Sequence, residues 1–151
     1  KNKNWIFSSL VQEKTQRWLS SQKIETWKWP VITYGGRRGK FKSLRVKEYD
    51  MCRVYNSHWG VVLPGYYHIG SGWWRTRILQ TIDAKSILLC EDEEGAIFGE
   101  AFVGLKATDI EEMDLSQLIK IVEYQHECLY DNHPLDKNIQ KNEFLAILES
   151  T

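Results

Sequence analysis

Three short apolar runs, each ending in a turn, constrain the fold of this 151-residue chain more than any other feature. They cover residues 31–34, 60–63 and 86–90, and are followed by a Gly-Gly pair, a Pro-Gly pair and a run of acidic residues ending in glycine. Brief β-branched or aliphatic runs bounded by turn residues are typical of buried parallel strands. Segments with helical periodicity separate the runs. The alternation therefore predicts an α/β fold, with a short parallel sheet flanked by helices.

Helical periodicity predicts the remaining elements. The predicted helices cover residues 4–22, 40–49 (short and strongly basic), 73–84, 114–130 and 139–148. Residues 96–103 are compatible with a further strand or an irregular loop. We therefore predict an N-terminal helix and connector over residues 1–29, followed by the α/β domain proper over residues 30–151.

The bulk composition restricts the compartment and the class of protein. No apolar run approaches the ~20 residues needed to span a bilayer, and the first residues lack the apolar core and cleavage site of a signal peptide. The three cysteines are widely spaced and form no CxxC pair, which favours buried free thiols over a disulfide framework or a zinc site. These features predict an intracellular, cytoplasmic protein that does not associate with membranes.

The charges are distributed unevenly along the chain although the net charge is zero. Residues 1–50 carry twelve Lys and Arg against four Asp and Glu, whereas residues 51–151 carry eight against sixteen. A basic first third can meet a polyanion such as nucleic acid or a diphosphate. Attraction between the two parts within the fold would explain the same asymmetry, and the sequence leaves both readings open.

A basic glycine turn follows the first predicted strand. It contains Gly35, Gly36, Arg37 and Arg38 and precedes a predicted helix. Glycines allow the backbone to approach an anion closely, and the guanidinium fork matches phosphate oxygens. The spacing fits neither a Walker loop nor a GxGxxG fingerprint. The turn is thus a candidate phosphate site, with an ordinary solvated loop as the alternative.

A second small-residue turn enters the helix predicted over residues 73–84. Ser71 and Gly72 form this turn, and Arg77 and Gln80 lie three residues apart on one face of the helix. They would present a cation for phosphate together with an amide for sugar hydroxyls. The alternative is that Arg77 is an ordinary surface charge.

Metal binding is not predicted. The acidic residues at 91–93 are more typical of a solvated turn than of a cation site, and the four histidines show no close ligand spacing. The sequence assigns no catalytic base.

Residues 77–93 contain the end of the helix predicted over residues 73–84 and the third apolar run. An Arg is followed three residues later by a polar residue, then by a small residue and an apolar strand. This stretch resembles the donor-site helix and following strand of GT-B glycosyltransferases, and the phage DNA glucosyltransferases look most similar. Tyr34-Gly35-Gly36 followed by basic residues is likewise similar to the strand and turn that open their C-terminal donor domain.

The resemblance implies a Rossmann-like donor-binding half of a GT-B fold. In it Arg77 would contact the donor diphosphate, Gln80 would hold the ribose, and Arg37 or Arg38 would flank the phosphates. Gln80 stands where the family usually has Glu, and the spacing from the glycine turn to Arg77 is shorter than a complete donor domain needs. The implied acceptor-binding N-terminal domain is absent from these residues, so a missing domain or a second chain would supply it.

The implied activity is transfer of a sugar from a nucleoside-diphosphate sugar to a hydroxyl acceptor, with no other cofactor required. The acceptor suggested by the phage likeness is a modified base in DNA, and the location would then be the host cytoplasm. An alternative is a non-catalytic nucleic-acid-binding module, in which the basic segment 37–47 grips phosphates and tryptophans stack on bases. A third is an assembly subunit that buries a tryptophan-rich surface against a partner.

Overall fold

The protein is an α/β structure whose elements alternate along the chain. The computed structural model describes residues 1–8, 13–34, 43–44, 50–63 and 74–132. The strands are β1 Asn2–Ser8, β2 Val31–Tyr34, β3 Ser43–Leu44, β4 His58–Leu63 and β5 Ile87–Cys90. The helices are α1 Glu13–Ser21, α2 Met51–Ser57, α3 Trp74–Asp83, α4 Asp92–Phe98, α5 Ala107–Glu111 and α6 Leu115–Asn132. Short 3₁₀ turns cover Ile24–Thr26 and Glu100–Phe102.

All five strands belong to one parallel sheet in the order β3-β2-β1-β4-β5. Trp5 is in register with Val31 of β2 and with Gly60 of β4, which makes β1 the central strand. This confirms the predicted parallel sheet flanked by helices. The order is that of doubly wound, Rossmann-like sheets, and it reverses direction between β1 and β4.

One face of the sheet carries the tryptophan-rich core. We call it the Trp5 face, because Trp5 is fully buried there beside Val62 and Leu89. Trp29, Ala107 and Ile110 from the connector before β2 and from α5 pack on it, together with Leu118 and Val122 of α6. Large aromatic side chains contribute much of the buried area on this face.

The opposite face, which we call the Ile6 face, is covered by α2, α3 and α4. Ile6 and Val61 pack with Tyr55 of α2, and Leu63 and Leu88 pack with Ile78 and Ile82 of α3, Phe98 and Phe102. Consecutive strand residues are buried on opposite faces, as expected for a parallel sheet covered on both sides.

Gln125 of α6 closes the β5 edge of the sheet. Its Oε1 accepts a hydrogen bond from the backbone N–H of Leu88 (2.8 Å), and its Nε2 donates to the Leu88 carbonyl (2.9 Å). The side chain is fully buried. The amide therefore takes the place of a neighbouring strand at the middle of β5.

Glu111 joins α5 to the central strand. Its Oε1 accepts from Trp5 Nε1 (2.7 Å) and its Oε2 from the backbone N–H of Lys28 (2.7 Å). The carboxylate is buried, and both of its oxygens have a donor. The second hydrogen bond holds the carboxylate in place, and the first fixes the orientation of the Trp5 ring.

The helix predicted over residues 4–22 is wrong for its first part. Residues 4–8 belong to β1, and among the described residues of that range the helix covers Glu13–Ser21. Trp5, Ile6 and Phe7 are all buried, because a central strand is covered on both faces and needs no polar alternation. Residues 1–29 thus contain the central strand of the sheet in addition to α1.

Other predicted elements have mixed outcomes. The helix over residues 40–49 is wrong at Ser43–Leu44, which is β3, and the rest of that range lies outside the described residues. The strand or loop over residues 96–103 is wrong, because α4 and a 3₁₀ turn occupy most of it, and α2 was not predicted. The predicted strands match β2, β4 and β5, and the helices over 73–84 and 114–130 match α3 and α6. The helix over 139–148 lies outside the described residues.

Within the part of the chain that the structure describes, no helix has both the length and the apolar character required to cross a bilayer.

Candidate functional site

The carboxyl ends of β1 and β4 mark the point at which the strand order reverses. Ser8 ends β1 and Leu63 ends β4. In open α/β sheets, ligands bind in the crevice outside the carboxyl ends of the strands at this switch point, because the connecting loops diverge to opposite faces there. The segments that follow these two strands, residues 9–12 and 64–73, lie outside the described residues.

Three polar residues are linked next to this crevice: Tyr55, which is hydrogen-bonded to Ser8, and Arg77, whose charge acts on Tyr55. We call them the switch-point cluster. Tyr55 is buried, and its hydroxyl shares a hydrogen bond with the Ser8 side chain. Burial raises the pKa of Tyr55, while the Ser8 hydrogen bond and the nearby Arg77 charge act in the opposite direction. The phenol therefore stays protonated at neutral pH and can donate a hydrogen bond.

The packing of α3 positions Arg77. Ile78 and Ile82 are buried against the Ile6 face, which leaves Arg77 half-buried in the first turn of the helix. Thr81 Oγ1 donates to the Arg77 carbonyl (2.7 Å). Since α3 follows β4, its first turn lies at the carboxyl edge of the sheet, and Gln80 follows one turn later, also half-buried.

The remaining predicted site residues fall on parts of the chain without a described structure. Gly35, Gly36, Arg37, Arg38, Ser71 and Gly72 all lie outside the described residues. The proposed meeting of the glycine turn with Arg77 therefore stays a prediction.

Ser8 and Tyr55 were not predicted as site residues. A signal for Ser8 exists in the sequence, because it directly follows the buried run Trp5-Ile6-Phe7 and so marks the carboxyl end of a strand once that run is recognised. Tyr55 gives no such signal. Its place depends on α2, which has only seven residues and no strong apolar period.

A second candidate site lies on the Trp5 face of the same edge. A pocket of about 350 Å³ opens there, and we call it the tryptophan pocket. It is lined by Trp18, Gln22, Trp27, Val62, Leu89, Cys90, Glu91, Asp92 and residues 104–108. Its volume lies within the range of ~300–1,000 Å³ that is usual for small-molecule sites.

Hydrogen bonds and ring contacts fix the walls of the tryptophan pocket. Trp18 Nε1 donates to Glu91 Oε1. Trp27 packs edge-on against Trp5, with ring centroids 5.7 Å apart and planes at 62°. Asp92 Oδ1 accepts from the backbone N–H of Gly104 (2.7 Å). These contacts tie α1 to the end of β5, the connector before β2 to β1, and the start of α4 to the loop before α5.

Metal binding has no support among the described side chains. Within them, no group of three or more His, Cys, Asp and Glu residues could hold a metal ion. The cysteines are free, as predicted, but Cys52 is exposed and the other two are half-buried, so the prediction of buried thiols is wrong for Cys52. Burial and the neighbouring carboxylates raise the pKa of Cys90 to about 12, which leaves it an unreactive thiol.

Glu94 is a buried carboxyl two residues after Asp92, which lines the tryptophan pocket. It is 9% exposed in the first turn of α4. Burial raises its pKa to about 7, and the charge of Glu91 adds to the increase. Glu94 is therefore about half-protonated near neutral pH and could exchange a proton with solvent or with a bound group.

The stability of the protein is expected to depend on this carboxyl. An acid whose folded pKa is raised from 4.5 to about 7 binds its proton more tightly in the folded state, so the contribution of Glu94 to stability is fully present below pH 4.5 and is lost as pH rises through about 7. After allowance for solvent screening we expect a loss on the order of 1–2 kcal/mol. Urea unfolding of the parent and of Glu94→Gln between pH 5 and pH 8 measures it.

The exposed neighbour Glu93 provides the control for this measurement. Glu93→Gln should keep the pH dependence of the parent, whereas Glu94→Gln should flatten it. An identical slope in the parent and in Glu94→Gln would show that Glu94 does not titrate in this range.

Comparisons with known proteins provide no relative for this arrangement. No family model, curated protein or solved structure matches the chain. The functional conclusion therefore depends on the fold and on the residues at the carboxyl edge of the sheet.

Proposed function

We propose that the chain is the nucleotide-sugar-binding domain of a GT-B-type glycosyltransferase. The observation that supports this most is the charge of Arg77, in the first turn of α3, which acts on the buried Tyr55, whose hydroxyl is hydrogen-bonded to Ser8 at the end of β1. A cation and two hydroxyls at this place in a doubly wound sheet suit a diphosphate.

Each member of the switch-point cluster has a role in this proposal. The Arg77 guanidinium offers two parallel N–H donors to the oxygens of a phosphate. The hydroxyls of Tyr55 and Ser8 add neutral donors in a partly buried setting, where each hydrogen bond is stronger than in water. Gln80, one turn further along α3, holds the ribose hydroxyls with its amide.

The proposed reaction transfers a sugar to an acceptor hydroxyl while the nucleoside diphosphate leaves. Negative charge grows on the departing diphosphate as the bond to the sugar breaks, so a fixed cation stabilises the transition state more than the ground state. Arg77 supplies that charge. The base that deprotonates the acceptor belongs to a further domain or chain, together with the acceptor site.

Nucleic acid enters the proposal as an acceptor. The basic segment 37–47 would hold the phosphate backbone of DNA that carries a hydroxylated base. The competing function, a non-catalytic nucleic-acid module, uses the same segment but needs no nucleotide sugar. DNA binding that weakens steeply with salt, without any response to nucleotide sugars, would favour that module.

Binding of a nucleotide sugar is expected to raise the melting temperature. At a ligand concentration of about 100 Kd the stabilisation is about 2.7 kcal/mol, which corresponds to a rise of several degrees for a domain of this size. Arg77→Ala should remove most of the rise, because the diphosphate loses its cation. Differential scanning fluorimetry with a panel of uridine-, guanosine- and adenosine-diphosphate sugars measures it.

Arg53 provides a matched control. It is exposed on the neighbouring helix α2, so Arg53→Ala removes the same charge without touching the switch-point cluster. Arg77→Lys should keep part of the shift, since it retains the charge but loses the fork. No shift with any nucleotide sugar, or equal loss in Arg53→Ala and Arg77→Ala, would contradict the proposal.

A further inference from the structure

We infer that the tryptophan pocket binds a sugar ring. The chemistry of its walls supports this independently of the switch-point cluster. Assignment of that ring to the nucleotide-sugar donor rests on the proposed function, whereas the sugar chemistry of the pocket does not.

The aromatic walls favour a ring with an apolar face. Trp18 and Trp27 are each half-buried and both line the pocket, with Val62 and Leu89 on the sheet beneath them. The C–H groups on one face of a pyranose pack against indole carbons, and flat aromatic walls require little ordering on binding. Trp27 is held by its contact with Trp5, so its surface is fixed before a ligand arrives.

The polar groups of the pocket favour hydroxyls over phosphate. Glu91 and Asp92 place two carboxylates at the end of β5, and of the described lining residues only Lys106 is basic. Carboxylate oxygens are acceptors that bind neighbouring hydroxyls, whereas they repel a phosphate. Glu91 Oε1 already accepts from Trp18, which orients a carboxylate that lines the pocket.

The pocket and the switch-point cluster share the carboxyl end of β4. Val62 lines the pocket on the Trp5 face, and the next residue, Leu63, ends the strand at the switch point. A ligand with its diphosphate at Arg77 could therefore extend across the end of β4. Two sources of the sugar fit this layout, namely the sugar of the donor and a sugar on the acceptor.

Calorimetric titrations of the whole chain separate these sources. The ligands are UDP-glucose, UDP-galactose and UDP-N-acetylglucosamine, with UDP, UMP and the free monosaccharides for comparison. If the pocket holds the donor sugar, one UDP-sugar should bind at least about tenfold more tightly than UDP. Trp27→Leu and Glu91→Gln should each abolish that advantage and leave the affinity for UDP unchanged.

Matched variants control for indirect effects. Trp59→Leu replaces a half-buried tryptophan at the opposite, amino edge of the sheet, where Lys1 Nζ lies 5.5 Å from its ring centroid. Glu93→Gln replaces the exposed neighbour of Glu91. Both should keep the affinity of the parent. If Trp27→Leu unfolds because its contact with Trp5 is lost, Glu91→Gln carries the test.

The outcomes distinguish this inference from the proposed function. Free monosaccharide binding that requires Trp27, without any advantage of UDP-sugars over UDP, supports the sugar site and assigns it to the acceptor. If free monosaccharides bind in a way that requires Trp27 but no nucleotide binds, the sugar site is supported and the proposed function fails. Equal weakening of UDP and UMP by Trp27→Leu would identify a base site and overturn the inference. Absence of any sugar-dependent binding would also overturn it, even if UDP binds through Arg77.

Discussion

Gly60→Ala is expected to destabilise the protein by about 3 kcal/mol, at the upper end of the usual cost of overpacking a core. A Cβ atom at position 60 would lie 2.3 Å from both Cε3 and Cζ3 of Trp5. The Trp5 ring is fully buried, it packs against Trp27 and Trp29, and its Nε1 is held by Glu111. The ring therefore has no direction in which to move.

Urea unfolding of four proteins tests this expectation. The parent, Gly60→Ala, Trp5→Phe and the double variant form a double-mutant cycle, in which the smaller ring of Phe should relieve the clash. We expect the alanine to cost much less in the Phe background than in the parent. Additive effects of the two substitutions would mean that the clash with Trp5 is not the cause.

Gln125→Ala is expected to cost about 3 kcal/mol, because the backbone N–H and C=O of Leu88 both lose their partner in a buried setting. Gln125 also donates to the Ala101 carbonyl (3.3 Å), so the loosened contacts extend to the 3₁₀ turn Glu100–Phe102. Urea unfolding measures the change in the free energy of unfolding. Amide hydrogen exchange should show faster exchange at Leu88.

The exposed residue Glu123 on the same helix provides the comparison. Glu123→Ala should change stability by less than about 0.5 kcal/mol, as is usual for surface positions. If exchange at Leu88 were equally slow in Gln125→Ala and in the parent, the side chain of Gln125 would not be what protects the edge of β5.

Elements of the fold could be predicted from the sequence where their apolar residues follow one clear pattern. The strands β2, β4 and β5 are brief apolar runs between turn residues, and α3 and α6 have an amphipathic pattern. The central strand β1 was missed because Trp5, Ile6 and Phe7 fit the start of a helix as well as a strand buried on both sides. Local sequence does not separate the two, since only pairing with β2 and β4 decides between them.

The candidate site was predictable only where it is local. Arg77 could be identified because it lies at the start of a predicted helix that follows a predicted strand and a small-residue turn. Its electrostatic link to Tyr55, and the hydrogen bond of Tyr55 to Ser8, join three segments that are distant in sequence. The residues that line the tryptophan pocket are spread along the chain between Trp18 and Thr108, so no short sequence motif predicts it. Such sites appear only when the order of the strands is known.

The central place of β1 has a consequence for how the chain folds as it is synthesised. One side of β1 can pair early, because Trp5 is in register with Val31 of β2. The other side can pair only after β4 has been synthesised, because Ile6 is in register with Val61. Until then a row of backbone donors and acceptors stays open on an apolar strand that will become the middle of the sheet. Parallel pairing between such distant segments is slow. A nascent chain that stalls before residue 61 would therefore expose an aggregation-prone strand. Chaperones that bind this strand should improve the yield of folded protein.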